Sequence, residues 1–208
     1  MFQNFSPNML KTFEKCQKMF EFKYIKNLSM PVNDEIFETG KNIHALASYY
    51  LRKQNIDKME KALSEQEKIL WNYLKQTKYF SYNVIATEYN LSVKIGSYFF
   101  GGRLDALVKN EDRYYILDYK TGSAPKNPEQ DFQTIIYMLC VRAFFKTDKI
   151  SFIYIDLKNK EEVKIDLSKE LINTYEKKLI DSAEKISKYD GASKLKKECN
   201  CEYKIICY

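Results

Sequence analysis

Residues Gly101–Tyr137, GGRLDALVKNEDRYYILDYKTGSAPKNPEQDFQTIIY, decide how this chain is read. Their first part falls in a centre, about 83 to 120, that reads as β-rich, with Asp105 on a first apolar run and Asp118 and Lys120 on a second. Successive strand residues face opposite sides, so Asp118 and Lys120 share one face while Tyr119 points away. Reading Asn110–Arg113 as a four-residue hairpin loop sets Lys109 against Tyr114 and, counting back, Asp105 against Asp118. Gly96-Ser97 suits a two-residue type II′ turn that pairs Ile95 with Tyr98, and the same count brings Glu88 opposite Asp105. Three acids then form a row across three strands. A one-residue slip destroys the row, and Gly101-Gly102 offers a place for a bulge.

These residue types suit a metal-dependent phosphodiesterase. Paired carboxylates hold Mg²⁺ or Mn²⁺ through oxygen. Such an ion polarises a phosphate and makes hydroxide accessible at neutral pH, and a lysine beside it orients the water or offsets developing charge. Past Thr121-Gly122-Ser123 a helix is expected, with Asn127 as N-cap, Pro128 at its first position and Gln130 at the capping-box position. Its apolar side uses Phe132, Ile135, Ile136, Leu139 and Ala143, and Gln133 and Tyr137 lie one turn apart on its flank.

The elements on either side read as support. Ser6-Pro7 starts a first helix whose stripe is Leu10, Phe13, Phe20 and Tyr24. A loop over 27–34 leads to a second helix, roughly 36–53, with Ile43, Ala47, Tyr50 and Leu51 inward and His44, the single histidine, four residues after Gly40. A third helix is expected over 57–78, with Ile69, Leu70, Tyr73 and Leu74 packing. Lys149–Leu157 alternates and reads as a strand with Glu161–Leu167 as its hairpin partner. Ser168 caps a long helix to about Lys188, and the basic run Lys194–Lys197 reads as a solvated linker.

With 208 residues, 45% hydrophobic, the chain can bury one substantial core, which predicts a single domain over 1–208: an N-terminal helical region over 1–80, a catalytic sheet and helix over 81–167, and a C-terminal helix with a Cys-rich tail over 168–208. Seventeen Tyr and 13 Phe argue against a disordered chain. The net charge of +6 and pI of about 8.8 are compatible with a nucleic-acid groove without requiring one. The start shows no signal-peptide pattern and no run is long enough to span a membrane, so a cytoplasmic protein with no membrane partner is expected. In a reducing compartment its 5 cysteines read as metal ligands or small buried residues, Cys140 among the latter.

The motifs GRLD, LDYKTG and a Gln-x-x-x-Tyr pair, preceded by Gly-x-x-x-His, resemble the PD-(D/E)XK nuclease superfamily, with the RecB-like and Cas4-like exonucleases as the nearest branch. The opening SPNMLKTFEKCQKMFEFKY is similar to that branch's first helix, so the resemblance spans nearly the whole chain. It implies an α/β (α+β) fold with a restriction-endonuclease-like core, a central mixed β-sheet flanked by helices and preceded by a helical segment. It also implies a metal-dependent DNA nuclease, an exonuclease in DNA repair, recombination or CRISPR adaptation. The alternative is a weakly active or inactive nucleic-acid-binding subunit of such a complex. Implied partners are DNA, single-stranded or with free ends, and a helicase or a CRISPR-adaptation protein.

Position by position, the resemblance makes His44, Asp105 and Asp118 metal ligands, with the Tyr119 backbone carbonyl as a further one and Glu88 as a looser match. Lys120 becomes the catalytic lysine, and Gln133 and Tyr137 position it and the DNA. Cys16, Cys199, Cys201 and Cys207 match the cysteines that hold a [4Fe–4S] cluster in this branch, a structural zinc site or an unmetallated set being the alternatives. Two departures stand out: one residue separates Cys199 from Cys201 where the branch usually has two, and Gln17 follows Cys16 where it has proline.

Overall fold

The computed structural model describes residues 2–30, 34–191 and 201–207. In chain order these form β1 (Asn4–Phe5), α1 (Pro7–Lys15), α2 (Gln17–Phe20), α3 (Asp34–Leu51), α4 (Asp57–Ala62) and α5 (Glu65–Gln76). There follow β2 (Asn83–Ile95), β3 (Tyr98–Asn110), β4 (Arg113–Lys120), α6 (Phe132–Phe145), β5 (Ile150–Asp156), β6 (Glu161–Asp166) and α7 (Lys169–Ser187). The fold is α/β: a mixed sheet with helices on both faces. Phe100, Leu104, Ile116 and Phe152 pack with α1, α6 and α7, whereas Ala106, Val108, Leu117, Tyr119 and Ile153 pack with α3 and α5.

The hairpin register follows the turns. Ile95 pairs with Tyr98 across Gly96, whose φ is +59°, and Lys109 pairs with Tyr114. The second turn is tighter than expected: Asn110 itself pairs with Arg113, leaving Glu111-Asp112 as the loop, with Glu111 at φ +53°. Gly101 and Gly102 are regularly paired with Ser92 and Leu91, so no bulge lies there; the register shift falls instead between Val84 and Ala86.

One edge of β3 is incomplete. β2 runs along one side, while the other side is shared by β1, parallel at Phe99–Phe100, and β4, antiparallel from Ala106 to Asn110. Between them residues 101–105 have no strand partner on that edge among the described residues. Leu104 and Ala106, which an unbroken strand would place on one face, pack into opposite cores. Opposite them Glu88 takes the left-handed conformation, φ +49°. The three acids therefore meet at a discontinuity rather than in a regular row.

Several helical expectations shift for local reasons. The first helix breaks at Cys16, extended at φ −164°, whose Sγ accepts the Met19 N–H and so caps the next turn. The 57–78 segment divides at Leu63-Ser64 because Ser64 and Glu67 form a capping box, and this leaves Ile69 outward, 57% exposed. Asn127 caps nothing; Pro128–Gln130 is a single 3₁₀ turn, and α6 begins at Phe132 with Asp131 accepting the Gln133 N–H at 2.8 Å. From Thr134 to Val141 every residue of α6 is buried, so it is a central helix with no solvent face there, while Ala143 is exposed. β5 is buried at every position, because parallel β4 and antiparallel β6 flank it between two helical layers.

Candidate functional site

The gap in the β3 edge gathers the polar side chains that the sequence singles out. From α3, His44 places Nδ1 3.2 Å from Asp105 Oδ1 and Nε2 2.9 Å from the Tyr119 carbonyl. The other Asp105 oxygen accepts the Tyr119 N–H at 2.9 Å, just beyond the last regular β3–β4 pair, Ala106 with Leu117. Glu88 joins them: donor atoms of His44, Glu88 and Asp105 all lie within 4.8 Å of one another. Glu88 is also ion-paired with Arg103, Nε to Oε2 at 3.0 Å.

Asp118 and Lys120 share a face, as the strand period predicts. Lys120 Nζ lies 2.8 Å from Asp118 Oδ2 and 3.3 Å from Gln133 Oε1, and the Gln133 amide donates to Asp118 Oδ1. Lys120 is thus the charge partner of this buried carboxylate oxygen. Asp118 is 3% exposed. Burial, with the Asp105 charge added, pushes its carboxyl up to about 6 against the pull of Lys120 and His44. Burial alone would lower the His44 pKa; the Asp105 hydrogen bond and the charges of Asp105 and Asp118 outweigh it and raise it to about 8. Burial and Asp105 likewise raise the Glu88 carboxyl, with Arg103 opposing.

Tyr137 serves the gap itself. Its hydroxyl donates to the Arg103 carbonyl at 2.7 Å, next to residues whose outer edge has no strand. Gly102 permits the approach, since a Cβ there would lie 2.9 Å from the Tyr137 hydroxyl. The resemblance links Tyr137 to Lys120 and DNA; the bond seen is to the backbone two residues before Asp105. Sequence reasoning also underweights Glu88 and overlooks Arg103, although its position inside GRLD is a visible signal.

Of the cysteines, Cys140 is core, 1% exposed. Cys16, Cys201 and Cys207 are half-buried, and none of these four is in a disulfide. Cys199 and the run Lys194–Lys197 lie outside the described residues. The tail carrying Cys201 and Cys207 packs on the segment after Cys16: Tyr203 donates to the Leu28 carbonyl at 2.7 Å, and its ring lies 5.5 Å from that of Phe22. No helix among the described residues is long and apolar enough to cross a membrane.

Comparison with known proteins gives the family. Residues 59–208 match the PD-(D/E)XK nuclease superfamily. The chain belongs to that superfamily. It is 29% identical over 124 residues to the CRISPR-associated exonuclease Cas4 of Francisella tularensis subsp. novicida, covering 58% of this chain and 62% of the relative. It is 28% identical over 138 residues to an uncharacterised Ureaplasma parvum protein, covering 64% of this chain and 63% of that one. The matches thus span less than two thirds of either relative. Among solved structures, a candidate exonuclease from Eubacterium rectale superposes with a TM-score of 0.58 at 11% identity, over 95% of this chain and 91% of that one. The protein SSO0001 superposes at 0.50 with 16% identity, over 99% and 85%. These two likenesses concern the fold.

Proposed function

We propose that this PD-(D/E)XK protein is a metal-dependent DNA nuclease, an exonuclease of the RecB-like and Cas4-like branch, built as one domain over 1–208. The observation that carries the proposal is the meeting, at one gap in the sheet, of the His44–Glu88–Asp105 donors with the Asp118–Lys120–Gln133 cluster. Glu88, Asp105, Asp118, His44 and the Tyr119 carbonyl would hold Mg²⁺ or Mn²⁺. The set is mostly oxygen, which suits hard ions, and its His44, Glu88 and Asp105 donor atoms already lie within 4.8 Å of one another. When bound, such an ion stabilises charge on the phosphate and activates water.

The chain's own residues do the rest. Lys120 orients the attacking water for in-line displacement and offsets charge on the phosphate through Nζ. Gln133 braces both Asp118 and Lys120, and Tyr137 holds the β3 backbone that carries Asp105. The substrate is DNA, single-stranded or with free ends; the likeness to a CRISPR-associated exonuclease supports a role in CRISPR adaptation, with repair beside a helicase as the other setting. Cys16, Cys199, Cys201 and Cys207 would hold a [4Fe–4S] cluster between the chain ends; the docking of the tail on the segment after Cys16 supports this, and thiolates suit iron. The test is a Mn²⁺-dependent cleavage assay on end-labelled strands. Asp118→Ala and Lys120→Ala are each expected to abolish cleavage with the fold intact; full activity in either removes that residue from the mechanism.

A further inference from the structure

Arg103 stands between the donor cluster and solvent. Its side chain is 65% exposed, yet its Nε lies 3.0 Å from Oε2 of Glu88, which is 23% exposed and belongs to the donor set with His44 and Asp105. No other acceptor among the described residues meets the guanidinium. The second arginine near Glu88 is different: Arg52 is locked to Thr87, through Nε to Oγ1 at 2.6 Å and a terminal nitrogen to the carbonyl at 3.1 Å. The Arg103 backbone is pinned by the Tyr137 hydroxyl at 2.7 Å, so the side chain pivots from a fixed point. A planar fork with spare donors at the mouth of an anionic cluster matches a phosphate diester.

We propose that Arg103 reads the nucleic-acid phosphate and, until that phosphate arrives, occupies Glu88 in competition with the divalent ion. Resting on the nuclease reading above, this adds an order of events. A backbone phosphate draws the guanidinium away from Glu88, and the freed carboxylate completes the cation's ligand set. Metal and substrate binding are thereby coupled through one ion pair, and by reciprocity each strengthens the other.

The two roles predict opposite effects of one substitution, which a merely structural arginine would not produce. In Arg103→Gln, Mn²⁺ titrated calorimetrically into the protein alone is expected to bind about fivefold or more tightly, because Glu88 has lost its competitor. The same variant, in EDTA, is expected to bind a fluorescent single-stranded thymidine oligonucleotide about fivefold or more weakly by anisotropy. Arg103→Lys, which keeps the charge but loses the fork, should fall between wild type and Gln in both. Unchanged or weaker Mn²⁺ binding by Arg103→Gln, beside normal binding by the wild type, overturns the role of Arg103 alone. Absence of Mn²⁺ binding in the wild type overturns the metal-dependent reading itself.

Discussion

Gly102→Ala tests whether the gap in β3 is held open for Tyr137. The φ of Gly102 is not positive, so alanine fits the backbone and, by restricting the unfolded chain, would by itself stabilise by about 0.4–1 kcal/mol. The contacts reverse the sign. A Cβ would lie 2.9 Å from the Tyr137 hydroxyl, 3.1 Å from its Cε1 and 3.4 Å from Pro7 Cδ. Tyr137 is 5% exposed and wedged in the core, so its ring cannot swing away cheaply. Overpacking costs about 1–3 kcal/mol, and displacing the hydroxyl from the Arg103 carbonyl adds about 1 kcal/mol.

The expected net loss is about 1–3 kcal/mol in urea unfolding at unchanged m-value. Tyr137→Phe alone should cost about 1–2 kcal/mol through the orphaned carbonyl. Combined, the two should fall short of their sum by about 1 kcal/mol, because removing the hydroxyl removes the nearest clash. Additivity to within about 0.5 kcal/mol, or a stabilised Gly102→Ala, would refute the idea that the glycine exists to admit Tyr137.

Two further outcomes follow from local chemistry. Because the folded His44 pKa lies above its ordinary 6.5, at about 8, its protonation stabilises the chelator-treated protein fully below about pH 6.5. That contribution, about 2 kcal/mol for such a shift, is lost as pH rises through 8. Unfolding curves at pH 6 and 9 should show the loss in wild type and not in His44→Gln; a wild type equally stable at both would contradict it. Ser64→Ala removes half of the capping box that divides the 57–78 segment and should cost about 1 kcal/mol in the same assay, a change below about 0.3 kcal/mol showing the cap to be dispensable.

Much of the site was legible because its signals are local. The two-residue separation of Asp118 and Lys120 follows from the period of a strand; the turn at Gly96-Ser97 sets a register that holds on both sides of Glu88, and the turn at Glu111-Asp112 sets one that runs up to Ala106 and Leu117. What failed also has a local cause: Asn127 is a good cap residue beside Pro128, but only a 3₁₀ turn follows it, and the helix starts at Phe132, where Asp131 accepts the Gln133 N–H. The burial of β5 on both faces depends on two helical layers that its own alternation does not announce.

Sequence alone determined the central strands, the pairing set by their two turns, and the shared face of Asp118 and Lys120, since backbone period and turn geometry act over a few residues. Tertiary structure decided that β3 has a gap on one edge, that Glu88 rather than Asp118 completes a tight set with His44 and Asp105, and that Arg103 closes on it. Those facts depend on where distant helices and strands meet in space. No period within a single segment encodes the 2.9 Å between His44 Nε2 and the Tyr119 carbonyl, or the Tyr137 bond that fills a missing strand's place.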